Sequence, residues 1–207
     1  VLILAYDFET TGLPLWKEPS HHEGQPHIVQ VGACLVDTDQ DYKVISSIDL
    51  IVRTNNWSIP DEVAKIHGID DALADRVGVP EDVALGALLC LWEMSDKRMG
   101  HNESFDARIA RIAILRYLNA DIAEAWANQS AICTANLATP IVKAPPTAKM
   151  IAAGRRHYKT ASLSEAYQHF MGKPLEDAHS AMADVLGCIA VYRSIMGAGD
   201  AVVSAAV

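Results

Sequence analysis

Cysteine is scarce in this chain and its spacing is barren. Cys34, Cys90, Cys133 and Cys188 are scattered among apolar neighbours, with no C-x-x-C pair. That excludes a disulfide framework and a cysteine-built zinc site, and it reads as reduced core thiols. Long apolar runs are missing too. None approaches the roughly 20 residues that a bilayer-spanning helix requires. The N-terminus lacks the basic region and small-residue cleavage site of a secretory leader, so a cytoplasmic location without membrane contact is expected. Basic residues are the minority: 17 Lys and Arg stand against 26 Asp and Glu, a formal net charge of −9. A general nucleic-acid coating protein, with its broad cationic surface, is therefore excluded. An enzyme that grips a few nucleotides at a metal-filled cleft is not.

What remains is ample for one domain. The 207 residues are half hydrophobic, enough to bury a real core. No internal repeat divides them. Residues 1–196 carry the periodic pattern, and the small-residue stretch Gly197 to Val207 is expected to be a flexible tail.

The run Val1-Leu2-Ile3-Leu4-Ala5-Tyr6 leads into Asp7-Phe8-Glu9-Thr10-Thr11-Gly12. It reads as a buried strand meeting a turn. Side chains alternate along a strand, so Asp7 and Glu9 share one face while Phe8 takes the other. Two like charges this close are costly unless a cation or proton lies between them.

A polar loop, roughly Gly12 to His27, follows. Its His21, His22 and His27 match no closed zinc ligand set, and it reads as a mobile loop at the mouth of a site. His27 to Val36 and Tyr42 to Val52 read as strands joined by Asp-rich turn chemistry. Asp61-Glu62 opens a short helix that Gly68 closes, and Pro80-Glu81-Asp82 starts a core helix. Lys97 to Gly100 reads as a short strand. Ser104 to Leu118 is a helix with Ile109, Ile112, Ala113 and Leu115 inward and Arg108, Arg111 and Arg116 marking its solvated side. A strand feeding a helix is how parallel α/β sheets are built.

From Thr139 the prolines predict irregular chain. Lys149, Arg155, Arg156, His157 and Lys159 then form the one concentrated positive stretch. It divides evenly between a solvated loop and a phosphate-backbone contact. Ser162 and Glu165 predict a capped helix, and the last helix is expected over Ser180 to Met196.

Three separated segments carry chemistry: Asp7 with Glu9, Asn102 to Asp106, and His179 to Asp184. Each falls where strand ends and their neighbouring helices can bring side chains into one crevice. Four carboxylates offer hard oxygen ligands and no sulfur, which suits Mg²⁺ or Mn²⁺. Two ions about 3.5–4 Å apart would stabilise both the attacking and the leaving oxygen of a phosphoryl displacement. His179 and Asp184 are about 140° apart on a helical wheel, so His179 should reach the site from the lead-in. There its imidazole is a candidate general base.

Asp7-x-Glu9-Thr10-Thr11-Gly12, His101-Asn102-x-x-Phe105-Asp106 and His179-x-Ala181-x-x-Asp184 together resemble the three motifs of the DnaQ-like, or DEDD, 3′→5′ exonucleases. His179 is similar to the histidine of the DEDDh branch, as in proofreading subunits of bacterial DNA polymerases, and Ile66-His67-Gly68-Ile69 resembles a segment usual there. The resemblance implies an RNase H-like α/β fold: a mixed five-stranded sheet, first three strands antiparallel, helices on both sides. It implies two Mg²⁺ or Mn²⁺ ions on Asp7, Glu9, Asp106 and Asp184, with His179 as general base. Thr10, Thr11, Gly12 and Leu13 would approach the 3′-terminal nucleotide, and His101, Asn102 and Phe105 would join them in binding substrate.

The implied activity is release of nucleoside 5′-monophosphates from the 3′ end of single-stranded DNA. RNA or an oligoribonucleotide is the alternative substrate, and a partner-bound proofreading module or an idle nucleic-acid binder the alternative of another class. A polymerase or other replication or repair protein, or a second copy of the chain, are the protein partners the resemblance suggests.

Overall fold

A computed structural model describes the backbone of residues 1–204 and the side chains of residues 1–197. Of the flexible tail expected from Gly197 to Val207, the backbone as far as Ser204 continues the last helix, and residues 205–207 lie outside the described residues. The strands are β1 (Leu2–Thr10), β2 (Ile28–Asp37), β3 (Lys43–Ile51), β4 (Lys97–Gly100) and β5 (Ala131–Cys133). They form one five-stranded sheet in the order β3-β2-β1-β4-β5. β1, β2 and β3 pair antiparallel, whereas β4 and β5 join parallel to β1. The mixed sheet expected from the motifs is thus the sheet observed.

Nine α-helices are described: α1 (Asp61–His67), α2 (Asp71–Val77), α3 (Glu81–Glu93), α4 (Glu103–Tyr117), α5 (Ala120–Asn128), α6 (Thr134–Val142), α7 (Ala148–Ala152), α8 (Leu163–Met171) and α9 (Ala181–Ser204). Local signals explain several ends. Gly68 closes α1 in the left-handed conformation, and α8 begins with a complete capping box between Ser162 and Glu165.

Alternation along β1 sorts its side chains between two layers. Leu4, Tyr6 and Phe8 pack with Leu85 and Leu88 of α3, Ile109 and Ile112 of α4 and Trp126 of α5. Ile3 and Ala5 face the other way, onto Val185, Cys188 and Ile189 of α9. Helices therefore cover both faces, which is why β1 reads as a continuous apolar run until its acids. By the same alternation Asp7 and Glu9 lie on the α9 face, at the sheet end where β1 stops.

Three expectations need correction. The chain does not turn irregular at Thr139, because α6 continues to Val142 with Pro140 inside it. Pro140 removes only one i→i−4 bond near the helix end, so the turn survives. α2 carries no strong apolar period and escaped the sequence reading. It is held by its N-cap, Asp70, which accepts from the Leu73 N–H at 2.8 Å.

The loop between β1 and β2 is tied down at many points. Gln25, 2% exposed, accepts from the Leu15 N–H and donates to the carbonyls of Leu15 and Pro19. Arg108 donates to the Glu18 carbonyl, and Arg116 donates to those of Gln25 and Pro26. These two arginines hold a loop and do not merely mark a wet helix face. Among the described residues no helix is long and apolar enough to cross a membrane.

Candidate active site

The end of β1 fixes the first two acids. Asp7 pairs across the sheet with Gly32 and Glu9 with Gln30, so these four residues share the face that α9 covers. Gly32 lets α9 come close: a Cβ there would lie 2.5 Å from the Ala181 carbonyl carbon. Gln30 accepts a hydrogen bond from the Ala181 N–H at 3.1 Å and donates to Asp49 at 2.7 Å. The first turn of α9, which bears Asp184, is thereby pinned against the acidic strand end.

His179 sits in the lead-in to that helix, at φ 71°. This placement, outside the helix and in the left-handed region, brings its ring round to Asp184. One ligand atom each from Glu9, His179 and Asp184 lies within 4.8 Å of the others. The charge of His179 and its backbone N–H favour the ionised form of Asp184, against the burial that raises its pKa.

Asp106 arrives from the opposite layer. It sits in the first turn of α4, just after β4 ends, is buried, and accepts from the Phe8 N–H at 3.2 Å. That bond sets it between Asp7 and Glu9 along β1. The electrostatics show the convergence. Burial, then the charges of Asp106, Asp184 and Glu9, push the Asp7 carboxyl well above the usual carboxylate range. Burial and the Asp184 charge raise Glu9 to about 8. Burial raises Asp106 well above its ordinary value, against the bond from Phe8, and burial also raises Asp184. Four acids from the beginning, middle and end of the chain therefore feel one another in a single cluster.

Residues 4–192 match the family described as Exonuclease, of the RNase T type. The chain belongs to that family. That family is one of DnaQ-like, DEDD-type 3′→5′ exonuclease domains, and hydrolysis of nucleic-acid ends is its class of chemistry. Among curated proteins none matches it in sequence.

Solved structures agree on the fold. The zinc-bound E. coli ExoI–ssDNA complex superposes with a TM-score of 0.70 at 18% identity, over 95% of this chain and 40% of that one. E. coli Exonuclease I with a dT13 oligonucleotide gives 0.69 at 20%, over 93% and 40%. A further exonuclease I structure gives 0.71 at 20%, over 95% and 41%. The exonuclease domain thus spans about two-fifths of the length of those chains.

The remaining motif residues divide by environment. Thr10 is buried and donates to the Gly12 carbonyl, while Thr11 is bonded to His27 through both its N–H and its hydroxyl. Leu13 projects from this turn, 76% exposed. Both ring nitrogens of His101 are engaged, Nδ1 with the Thr134 hydroxyl and Nε2 with the Ala161 carbonyl, each at 2.9 Å. It therefore braces the strand-to-helix junction from behind. Asn102, left-handed at φ 67°, is exposed and Phe105 packs on the core beneath α4. Arg155 and Arg156 are exposed on the segment that returns to His101 at Ala161.

Gln30 and Gly32 went unnoticed in the sequence, where they look like ordinary strand residues. His67 gave a clearer signal through its Ile-His-Gly-Ile context. Burial, then the His179 charge, lowers its pKa, so the two histidines are neighbours.

Proposed function

We propose that this domain removes nucleotides one at a time from the 3′ end of single-stranded DNA, releasing nucleoside 5′-monophosphates. The observation that carries this reading is the grouping of Glu9, His179 and Asp184 within 4.8 Å, inside the field of Asp7 and Asp106. The family is typically dependent on divalent metal. The residues fit such ions: four carboxylates and no thiolate form a hard-oxygen donor set, and their raised pKa values register burial and, for Asp7, Glu9 and Asp106, the charge of neighbouring acids as well, which cations would offset. Asp7, Glu9, Asp106 and Asp184 would hold two Mg²⁺ or Mn²⁺ ions. When bound, these would stabilise charge on the attacking and leaving oxygens of an in-line displacement.

The chain's own groups do the rest. His179, exposed beside Glu9 and Asp184, takes the proton from the attacking water. Its left-handed lead-in sets where the ring stands. Thr10, Thr11 and Gly12 shape a turn that presents Leu13 to the terminal base. Asn102 and Phe105 line the approach from α4, and His101 holds that junction in place. Arg155 and Arg156 receive backbone phosphates; their segment is anchored on His101, next to the helix of Asp106.

Digestion of end-labelled single-stranded DNA, duplex DNA and RNA, side by side and with and without EDTA, tests the proposal. Metal-dependent, stepwise loss of mononucleotides from the 3′ end, fastest on single-stranded DNA, is expected. Faster loss from RNA would transfer the substrate assignment, and endonucleolytic products would overturn it.

A further inference from the structure

The loop between β1 and β2 holds its apolar side chains outward. Leu15 is 41% exposed and Trp16 58% exposed, on a loop fastened by buried Gln25 on one side and by Arg108 and Arg116 of α4 on the other. A large ring facing water on chain this well anchored is preorganised, so an occupant would bind it without first ordering the loop. The loop adjoins two elements that carry acids of the cluster: it follows β1, which bears Glu9, and at Glu18 it is bonded to Arg108 of α4, two residues beyond Asp106. Cations flank it. Arg111, exposed, lies close enough to Arg108 to lower its pKa after burial does so, and among the described residues Arg111 has no carboxylate partner.

Resting on the proposed action at single-stranded 3′ ends, we propose that Trp16, backed by Leu15, is a stacking platform for a nucleobase upstream of the terminal nucleotide. An exposed aromatic face on a loop fastened to α4, the helix that also bears Arg111, supplies a surface for the base while that helix supplies charge for the phosphate, the two contacts a single strand needs. With the terminal nucleotide at the acids, any second base must lie further along the strand. Trp16 follows Leu13, also exposed, by three residues in the same loop.

Equilibrium binding in EDTA, where no cutting is expected, tests this with fluorescein-labelled oligothymidylates and with matched strands carrying abasic sites at the positions next in from the 3′ end. Trp16→Ala should weaken binding of the base-bearing strand about tenfold, or about 1.4 kcal/mol, and Trp16→Phe should restore most of it. On the abasic strand wild type and Trp16→Ala should bind alike. Equal binding of the base-bearing strand by wild type and Trp16→Ala would overturn the platform while leaving the proposed function intact. The same deficit on the abasic strand would also overturn it, making Trp16 a support of the loop. If wild type binds no single strand at all, the platform falls together with the reading beneath it. A dimer in sedimentation that Trp16→Ala breaks, with DNA binding unaltered, would give the face to a second copy of the chain.

Discussion

Gln30 of β2 accepts the backbone N–H of Ala181, the first residue of α9, across 151 residues of sequence. The same Gln30 is the cross-strand partner of Glu9. One buried amide therefore sets the distance between the strand that carries two of the acids and the helix that carries the fourth.

Replacing it should separate activity from binding. Gln30→Leu leaves the Ala181 N–H without its partner, a loss of about 1–3 kcal/mol of stability, measurable by urea unfolding. Misplacing Asp184 and His179 should lower kcat more than it raises KM. An unchanged kcat in a folded variant would remove Gln30 from any positioning role.

Gly32 supports the same approach by having no side chain. Gly32→Ala puts a methyl group against the Ala181 backbone at 2.5–2.7 Å, where neither sheet nor helix can give easily. We expect a cost of about 1–3 kcal/mol in thermal or chemical unfolding and reduced exonuclease activity. A variant as stable and active as wild type would show that α9 has slack at this point.

Glu81 gives an acid-side prediction. Burial alone would raise its pKa, but bonds from His27, the Ile28 N–H and the Tyr117 hydroxyl hold it below its ordinary 4.5. A carboxylate depressed in the fold contributes stability that is complete above about 4.5 and is lost as pH falls through its folded value. Glu81→Gln should therefore be less stable at neutral pH and show a shallower loss below about pH 4.5. Parallel acid limbs for the two proteins would contradict this.

Arg155 and Arg156 are expected to act through charge. Neutralising both should raise KM and make log affinity fall less steeply with log salt, by about 0.7 in slope for each phosphate of a single strand that the variant leaves unneutralised. An unchanged salt response would return them to a solvated loop.

The sequence spoke clearly where one residue type serves one purpose. Alternation at Asp7-Phe8-Glu9, the capping box at Ser162 and the left-handed stop at Gly68 are local physics, and each stands in the structure as read. It was silent where a residue acts across the fold. Arg116 looks like the wet side of an amphipathic helix, yet its guanidinium reaches Glu81 and two loop carbonyls. Nothing local marks Gln25 as the buried anchor of a polar loop, so that loop reads as mobile. β5 has three residues and takes its identity from pairing with β4, not from any pattern of its own. For the candidate site, the three motifs were legible as separate stretches. The bond from the Phe8 N–H to Asp106 that draws two of them together was not.

The most direct measurement is release of mononucleotides from a single-stranded oligonucleotide by Asp7→Ala in Mg²⁺ or Mn²⁺, alongside its melting temperature in EDTA. Asp7 sits amid the charges of Asp106, Asp184 and Glu9, so removing it should leave the metal-free protein as stable or more so while abolishing cleavage. A folded Asp7→Ala protein that still trims 3′ ends at close to the wild-type rate would contradict the assignment of the chemistry to this cluster.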